Sequence, residues 1–327
     1  MSCELSLVIP VFNEAETLPA LVDRLTKVLK GLTDSYEIIF VDDGSTDHSI
    51  SVLEGYRSRD PRVKILQFSR NFGHQVAITA GLDCACGDAT VVMDSDLQDP
   101  PEVIPQLWAK WKEGYEVVYA VRECREGEGW FKLATAAAFY RVLRSLTDLD
   151  VPSDAGDFRL LDRDAREAFC QMRERHRYVR GMSGWIGFRQ TGVPYRRESR
   201  HAGGTKYPLR KMIKLAFDAI TSFTLKPLKF ATYLGFSISA LSFCYIVYAL
   251  YRKFTGHTEI GWTSLIVAIF FLGGVQLLSI GIVGEYVGRI YEESKRRPLY
   301  VVRRAEGIEY SRFRSGESPV ETRRFQR

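Results

Sequence analysis

The sequence predicts an α/β protein: a Rossmann-like, mostly parallel sheet with helices on both faces, followed by juxtamembrane amphipathic helices and two transmembrane helices. Three observations predict it. Short β-rich runs alternate with helical stretches through residues 1–120. Two uncharged apolar segments late in the chain are each long enough to cross a bilayer. Finally, the ends of the early strands, outside which ligands sit in such sheets, are crowded with acid.

The β-rich runs are Leu5–Pro10, Tyr36–Val41, Val63–Phe68, Thr90–Met93 and Val117–Val121. Between them lie the helical stretches Glu16–Leu29, Ser49–Arg57, Gln75–Cys84 and Pro101–Lys112. Repeated β-α units wind as right-handed crossovers, which makes the sheet mostly parallel and covers both its faces. A further amphipathic stretch, Trp130 to Leu146, sets Phe131, Leu133, Phe139, Tyr140 and Leu143 among Lys132, Arg141 and Arg144. It reads equally as a helix lying in a membrane interface or as one packed on the soluble core. No internal repeat is visible.

At 327 residues, 46% apolar and 26% charged, the chain has the make-up of globular protein, enough for one sizeable domain and something smaller. Its net charge of +5 is unevenly placed. Residues 1–60 hold five basic against eleven acidic residues, whereas residues 196–229 hold nine basic residues against Glu198 and Asp218. That basic stretch calls for an anionic partner. Because it runs straight into apolar sequence, phospholipid or lipid phosphate suits it better than nucleic acid. The six cysteines (Cys3, Cys84, Cys86, Cys124, Cys170 and Cys244) make no C-x-x-C pair and no zinc spacing, as expected of a reduced, cytosol-facing protein. Leu5 to Pro10 follows Glu4 with no basic n-region, so no signal peptide is expected.

Phe230 to Tyr251 is 22 residues without a charge and Trp262 to Gly284 is 23. At ~1.5 Å per residue each spans the ~30 Å hydrocarbon layer. Six basic residues between Lys206 and Lys229 precede the first segment and six between Arg289 and Arg304 follow the second, while the loop between holds Arg252 and Lys253. The positive-inside rule then puts both termini in the cytoplasm. Met212, Ile213, Leu215, Ala216, Phe217, Ile220 and Phe223 fall at helical spacing among Lys211, Lys214 and Asp218, as in an interfacial helix. Gly284 and Gly288 form a G-x-x-x-G pair that reads either as a close helix contact in a homo-oligomer or as a chance glycine pair.

Two acidic runs follow strands: Asp42-Asp43-Gly44-Ser45-Thr46-Asp47 and Asp94-Ser95-Asp96-Leu97-Gln98-Asp99. Clustered carboxylates repel unless a cation or hydrogen-bond donors offset their charge, and a hard divalent ion carrying a diphosphate meets that need. Asp94 and Asp96, placed after Val91-Val92-Met93, read as metal ligands, with a turn as the alternative. The Asp42 run reads either as ribose or base recognition or as a tight glycine turn with Thr46 and Asp47 as caps. Asp99, before Pro100-Pro101, reads as a turn or cap. His74, among small residues, reads as a helix-start residue with no catalytic role.

Pro10-Val11-Phe12-Asn13-Glu14, the Asp42–Asp47 run, Asn71-Phe72-Gly73-His74 and the Asp94–Asp99 run together resemble the family-2 inverting glycosyltransferases of the GT-A fold. The likeness covers about the first 230 residues. The two apolar segments resemble the polyprenyl-phosphate subgroup, which includes dolichol-phosphate mannose synthase and the bactoprenol glucosyltransferases. The resemblance implies that Pro10, Phe12, Glu14 and Asp42 cradle the nucleoside, and that Asp94, Asp96 and Gln98 hold Mg²⁺ or Mn²⁺ and the diphosphate, with Ser95 beside them. It places Asp157, in Gly156-Asp157-Phe158-Arg159, near the reacting sugar. Arg200 and Lys206, in a basic loop, would hold the acceptor phosphate; Gly204-Thr205 stands where relatives often have Ser. Arg122, just after a strand, reads as reaching the donor diphosphate or as a solvated basic residue.

These readings imply a single transfer from a nucleotide sugar, UDP-glucose above others, to a polyprenyl (undecaprenyl) phosphate at the cytoplasmic face. The nucleophile, a phosphate with a second pKa of ~6, is already ionised, so Asp157 orients more than it abstracts a proton; its structural alternative is an ion pair with Arg159 or another arginine. The other functional readings are a non-catalytic nucleotide-sugar sensor or scaffold and a processive polysaccharide synthase. A processive synthase is disfavoured because the chain has no Arg-Trp dipeptide and only two apolar segments. The chain then divides into a catalytic domain (1–205), a juxtamembrane segment (206–229), spans at 230–252 and 262–287, and a cytoplasmic basic segment (288–327) ending in a disordered tail.

Overall fold

Strands β1 (Leu5–Val11) and β2 (Tyr36–Asp42) are buried at every position. Continuous apolar runs of this kind belong to strands covered on both faces, and the two pair in parallel. The structure, a computed structural model, describes residues 3–122, 155–196, 224, 226–255 and 261–308. They fall into two units, one within 1–212 and 298–327 and the other within 213–297.

In the first unit, β3 (Val63–Phe68), β4 (Ala89–Val92) and β5 (Val117–Arg122) lie within one residue of the sequence expectation. Between them run α1 (Leu18–Lys30), α2 (Ser49–Arg57), α3 (His74–Cys84) and α4 (Ile104–Lys112). The stretch expected as one helix from Pro101 begins as a 3₁₀ turn, Pro101–Val103. Pro105, without an N–H, is suited only to a first helical turn, and α4 restarts there.

The sheet has eight strands in the order β7-β5-β6-β4-β1-β2-β3-β8. Here the expectation of a mostly parallel sheet is corrected to a mixed one. β6 (Ala155–Asp162) inserts antiparallel between β4 and β5, and β7 (Gln190–Tyr195) extends the edge parallel to β5. Simple β-α alternation does not foretell a strand inserted in reverse. After it come α5 (Arg163–Gln171), capped by the Asp162 carboxylate accepting from Asp164 N at 3.0 Å, and α6 (Val179–Trp185).

A second correction falls at the other edge. Residues 302–306, expected in the cytoplasmic basic segment that ends in a disordered tail, form β8 (Val302–Glu306), antiparallel to β3. The tyrosine just before it explains why: Tyr300 stacks on Phe68 at 5.2 Å and donates to the Asp83 carboxylate at 2.8 Å.

The chain runs out along β1, β2 and β3, then crosses back to β4 on the other side of β1. Such a switch point opens a crevice at the strands' carboxyl ends. Helix α3 packs close behind it because Gly81 has no Cβ, which would stand 2.1 Å from Val8 Cγ1.

In the second unit, α7 (Lys226–Phe254) and α8 (Trp262–Ser294) run against each other as a hairpin that contains both expected spans. Among the described residues one helix is long and apolar enough to cross a membrane by length and composition, Val267–Ser294, with a mean hydropathy of 2.2. Tyr286 OH donates to Thr224 O at 2.7 Å, tying the hairpin's two ends. A Cβ on Gly284 or Gly288 would meet open space. The expected interfacial stretches around Trp130–Leu146 and Met212–Phe223, and residues 309–327 of the expected tail, lie outside the described residues.

Candidate functional site

The crevice is a cavity of about 600 Å³. The end of β1 contributes Pro10, Val11, Phe12 and Glu14; the end of β2, Asp43; the β3–α3 loop, Asn71, Gly73 and His74. Asp94, Ser95 and Asp96 follow β4, and Asp157 comes from β6. Because β6 is antiparallel, its first residues lie at the carboxyl ends of its neighbours. Val92 pairs with Arg159, so the same register carried two residues on sets Asp157 across from Asp94.

Local chemistry fixes each wall. Asn13 sits at φ 57° and its side-chain carbonyl accepts from Thr46 N at 2.8 Å, joining the loops after β1 and β2. Asp47 accepts from Ala15 N at 3.1 Å and from Ser49 N at 3.0 Å, tying the loop after β1 to the start of α2, whose N-cap position is His48. Asp43 accepts from Phe72 N at 2.7 Å and Gly73 N at 3.0 Å, which pins the loop carrying His74. Leu97, buried at φ 59°, turns the chain sharply after Asp96, a left-handed geometry that costs about 1–3 kcal/mol.

Two acids at the centre are shifted in opposite directions. Asp94 keeps 27% side-chain exposure, yet its Oδ1 is buried, accepts no hydrogen bond and lies 3.4 Å from His74 Nε2. Burial, with Asp157, Asp99 and Asp96 nearby, pushes its carboxyl up to about 6 against the pull of His74. Burial would raise Asp157 too, but Arg180, His74 and Arg159 hold it well below the usual carboxylate range. Arg180 Nε donates to Asp157 Oδ1 at 3.0 Å, and Gln75 Nε2 to Oδ2 at 3.3 Å. Gln75 Oε1 in turn accepts from Val179 N at 2.9 Å, joining α3 to α6. His74 Nε2 is also 3.4 Å from Asp157 Oδ2. Burial would depress its imidazole, but Asp157 and Asp94 outweigh that and raise it to about 9.

Several expectations change place. Pro10, Phe12, Glu14, Asp94, Ser95, Asp96 and Asp157 line the cavity together. Asp42 does not: it is fully buried beneath the strand end, where its Oδ1 accepts from Ser45 N at 3.2 Å. Gln98 is not among the lining residues; its N–H donates to Asp96 Oδ1 at 3.1 Å. Arg122 also lies off the cavity wall, 3.3 Å from Tyr195 OH, which donates to Asp99 Oδ1. Asp99 therefore ties β7 to this loop and caps no helix. Asp157 pairs with Arg180, while Arg159 turns away to Ser183 Oγ and Gly156 O. His74, read from sequence as a helix-start residue with no catalytic role, is the first residue of α3 and also bridges both central acids. Arg200 and Lys206 lie outside the described residues.

A divalent ion fits this donor set. Asp94 Oδ1 is a buried anionic oxygen without a hydrogen bond, and Asp96 opens on the same cavity. Two carboxylates facing a wide cavity suit a hard ion whose other ligands come from a phosphorylated substrate and water.

Residues 6–169 match the model of glycosyl transferase family 2, and residues 226–290 match that of the GtrB C-terminal hairpin. The uncharacterized glycosyltransferase YkcC of Bacillus subtilis (strain 168) is 53% identical, over 94% of this chain and 96% of its own. The bactoprenol glucosyl transferase of Shigella phage SfV is 40% identical, over 92% of this chain and 98% of its own. A looser likeness, TM-score 0.47 at 19% identity over 67% of this chain and 78% of the other, is to the glucosyl-3-phosphoglycerate synthase of Mycobacterium tuberculosis solved with Mn²⁺, UDP-glucose and phosphoglyceric acid.

Proposed function

Because the chain belongs to glycosyltransferase family 2, we propose that it transfers one glucose from UDP-glucose to undecaprenyl phosphate, with inversion at the anomeric carbon. The reaction takes place at the cytoplasmic face of a membrane that the 226–290 hairpin crosses twice, leaving both termini in the cytoplasm. One observation carries the reading: Asp94 Oδ1, buried and without a hydrogen bond, shares a cavity with Asp96, Asp157 and an exposed Phe12. The lipid acceptor is supported by relatives named bactoprenol glucosyl transferase that match across 92% of the chain. The positive flanks of the two apolar segments support the topology.

Pro10, Phe12 and Glu14 bind the nucleoside, the ring of Phe12 offering a face to the base. Asp94 and Asp96 hold Mg²⁺ or Mn²⁺, which when bound supplies charge stabilisation for a departing diphosphate. An oxygen of the acceptor phosphate forms the new bond to the anomeric carbon from the face opposite UDP. The bond from that carbon to the β-phosphate oxygen breaks, and its electron pair leaves with UDP. No proton has to move, since the acceptor is already an anion. Asp157 is accordingly an orienting group: ion-paired to Arg180 and held low in pKa, it is a poor base but a firm anchor for Arg180 and His74. Arg200 and Lys206 hold the acceptor phosphate.

Full-length protein in detergent, given undecaprenyl phosphate and a panel of radiolabelled nucleotide sugars, tests this. Label is expected in the lipid fraction with UDP-glucose first among donors, abolished by a chelator and restored by Mg²⁺ or Mn²⁺. Label that never reaches the lipid fraction, or transfer unaffected by chelation, overturns the reading. A membrane fraction from which alkaline carbonate strips the protein overturns the two spans.

A further inference from the structure

At the opposite, amino end of the sheet lies a second chemical cluster that the reaction does not use. Cys3 just precedes β1, Glu37 is the second residue of β2, and Cys86 lies in the α3–β4 connection. Gly87 allows that connection to press on β1: a Cβ there would stand 2.6 Å from Ser6 N. The two sulfurs and a Glu37 carboxylate oxygen all lie within 4.8 Å of one another. Glu37 is 3% exposed, Cys3 half-buried and Cys86 exposed, so the cluster is anchored on the core yet reachable from solvent.

We propose that Cys3, Cys86 and Glu37 form a Zn²⁺ site, with a fourth position taken from solvent. Thiolates select soft or borderline ions over Mg²⁺ or Ca²⁺, and edges under 4.8 Å accommodate Zn–S bonds of ~2.3 Å and Zn–O bonds of ~2.0–2.2 Å. The division of labour on Glu37 suits it. Oε2 pairs with Lys64 Nζ, whereas Oε1 accepts from Ser6 Oγ at 2.5 Å, Cys86 N at 2.8 Å and the Cys86 thiol at 3.1 Å. A metal replaces that S–H contact and leaves the others intact. The charges also close: two thiolates and one carboxylate balance the divalent ion and the Lys64 ammonium. Binding releases the two thiol protons to solvent. The ion would clamp the first strand, the second strand and the α3–β4 connection.

The test uses full-length protein in detergent, reduced with a phosphine, with Zn²⁺ itself as probe competing against a chromophoric chelator. An Asp94→Asn/Asp96→Asn background removes the catalytic carboxylates. One tight equivalent is expected, weakened at least ~10-fold in Cys86→Ser and in Cys3→Ala, with Co²⁺ giving a thiolate charge-transfer band lost in both. Cys84, Cys124, Cys170 and Cys244 remain in every variant, and Cys3→Ala, outside the strands, reads out the site should Cys86→Ser fold poorly. Absence of a tight equivalent, equal binding by a Cys3→Ala/Cys86→Ser double variant in the same background, or a Cys3–Cys86 disulfide that persists under the reductant overturns the proposal.

Discussion

The two ends of the sheet treat a buried carboxylate in opposite ways. At the carboxyl end, Asp94 has an oxygen without a hydrogen bond, and burial with neighbouring acids pushes it up to about 6. At the amino end, Glu37 is more completely buried, at 3% exposed, but Lys64, Ser6 and Cys86 N outweigh burial and hold its carboxyl below the usual range. Both are acids inside one α/β core, so the difference lies in their partners. Pairing within the chain builds stability, whereas a carboxylate left for a ligand spends stability on function. Substitutions at four positions break or sharpen the contrast.

The largest effect is expected at the carboxyl end. Asp94→Asn should lower kcat/KM for glycosyl transfer by about 100-fold or more, ~2.7 kcal/mol, while the melting temperature holds or rises because acid crowding is relieved. A melting temperature that falls with activity would place Asp94 among the structural acids. Next comes Arg180→Ala, which leaves Asp157 buried without its main cation and should cost about 3 kcal/mol of stability, together with kcat. Arg180→Lys should recover part of both. Unchanged thermal unfolding would mean that Gln75 and His74 suffice to hold Asp157. Between the two ends, Gly81→Ala should cost ~2 kcal/mol by forcing α3 off Val8, read by thermal unfolding, and should raise KM as His74 and Gln75 shift with their helix.

How far the sequence foretold this contrast depends on distance along the chain. β1 to β5 and the helices between them were legible because each is a short run whose apolar pattern and breakers are local. Asp94 and Asp96 were legible because acid just after an apolar strand is local too. Asp157 came only through family resemblance: its strand inserts in reverse, so nothing near residue 157 tells that it will face residue 94. Its partners are not local either, Arg180 being 23 positions away and Gln75 82. Asp99 looked like a cap since its partner, Tyr195, is 96 residues away on a strand with no strong signal. Asp42 and Asp43 are adjacent, and the turn of the chain at the strand end decides which of them faces the cavity; the family resemblance pointed to Asp42, whereas Asp43 lines the wall. The amino-end cluster was hidden by the same arithmetic, because spacing rules for metal sites look for nearby cysteines, while Cys3 and Cys86 meet only once β1 and the α3–β4 connection are side by side.

The smallest effect, read on protein freed of zinc by a chelator, is the one that isolates charge. Glu37→Gln keeps an acceptor for Ser6 and Cys86 N but removes the ion pair with Lys64, whose side chain is 23% exposed, so about 1 kcal/mol is expected at neutral pH. The sign of its pH dependence follows from the lowered carboxyl. A group whose pKa is depressed on folding contributes its stability above the unfolded value, ~4.3 for Glu, and loses it as pH falls through the folded value. The melting-temperature gap between the natural protein and Glu37→Gln should therefore be full at pH 7 and close as pH drops below about 4. Transfer activity at pH 7 should stay unchanged, because nothing at this end reaches the cavity. A gap that widens on acidification would mean that burial, and not Lys64, governs Glu37, and the amino end would then resemble the carboxyl end after all.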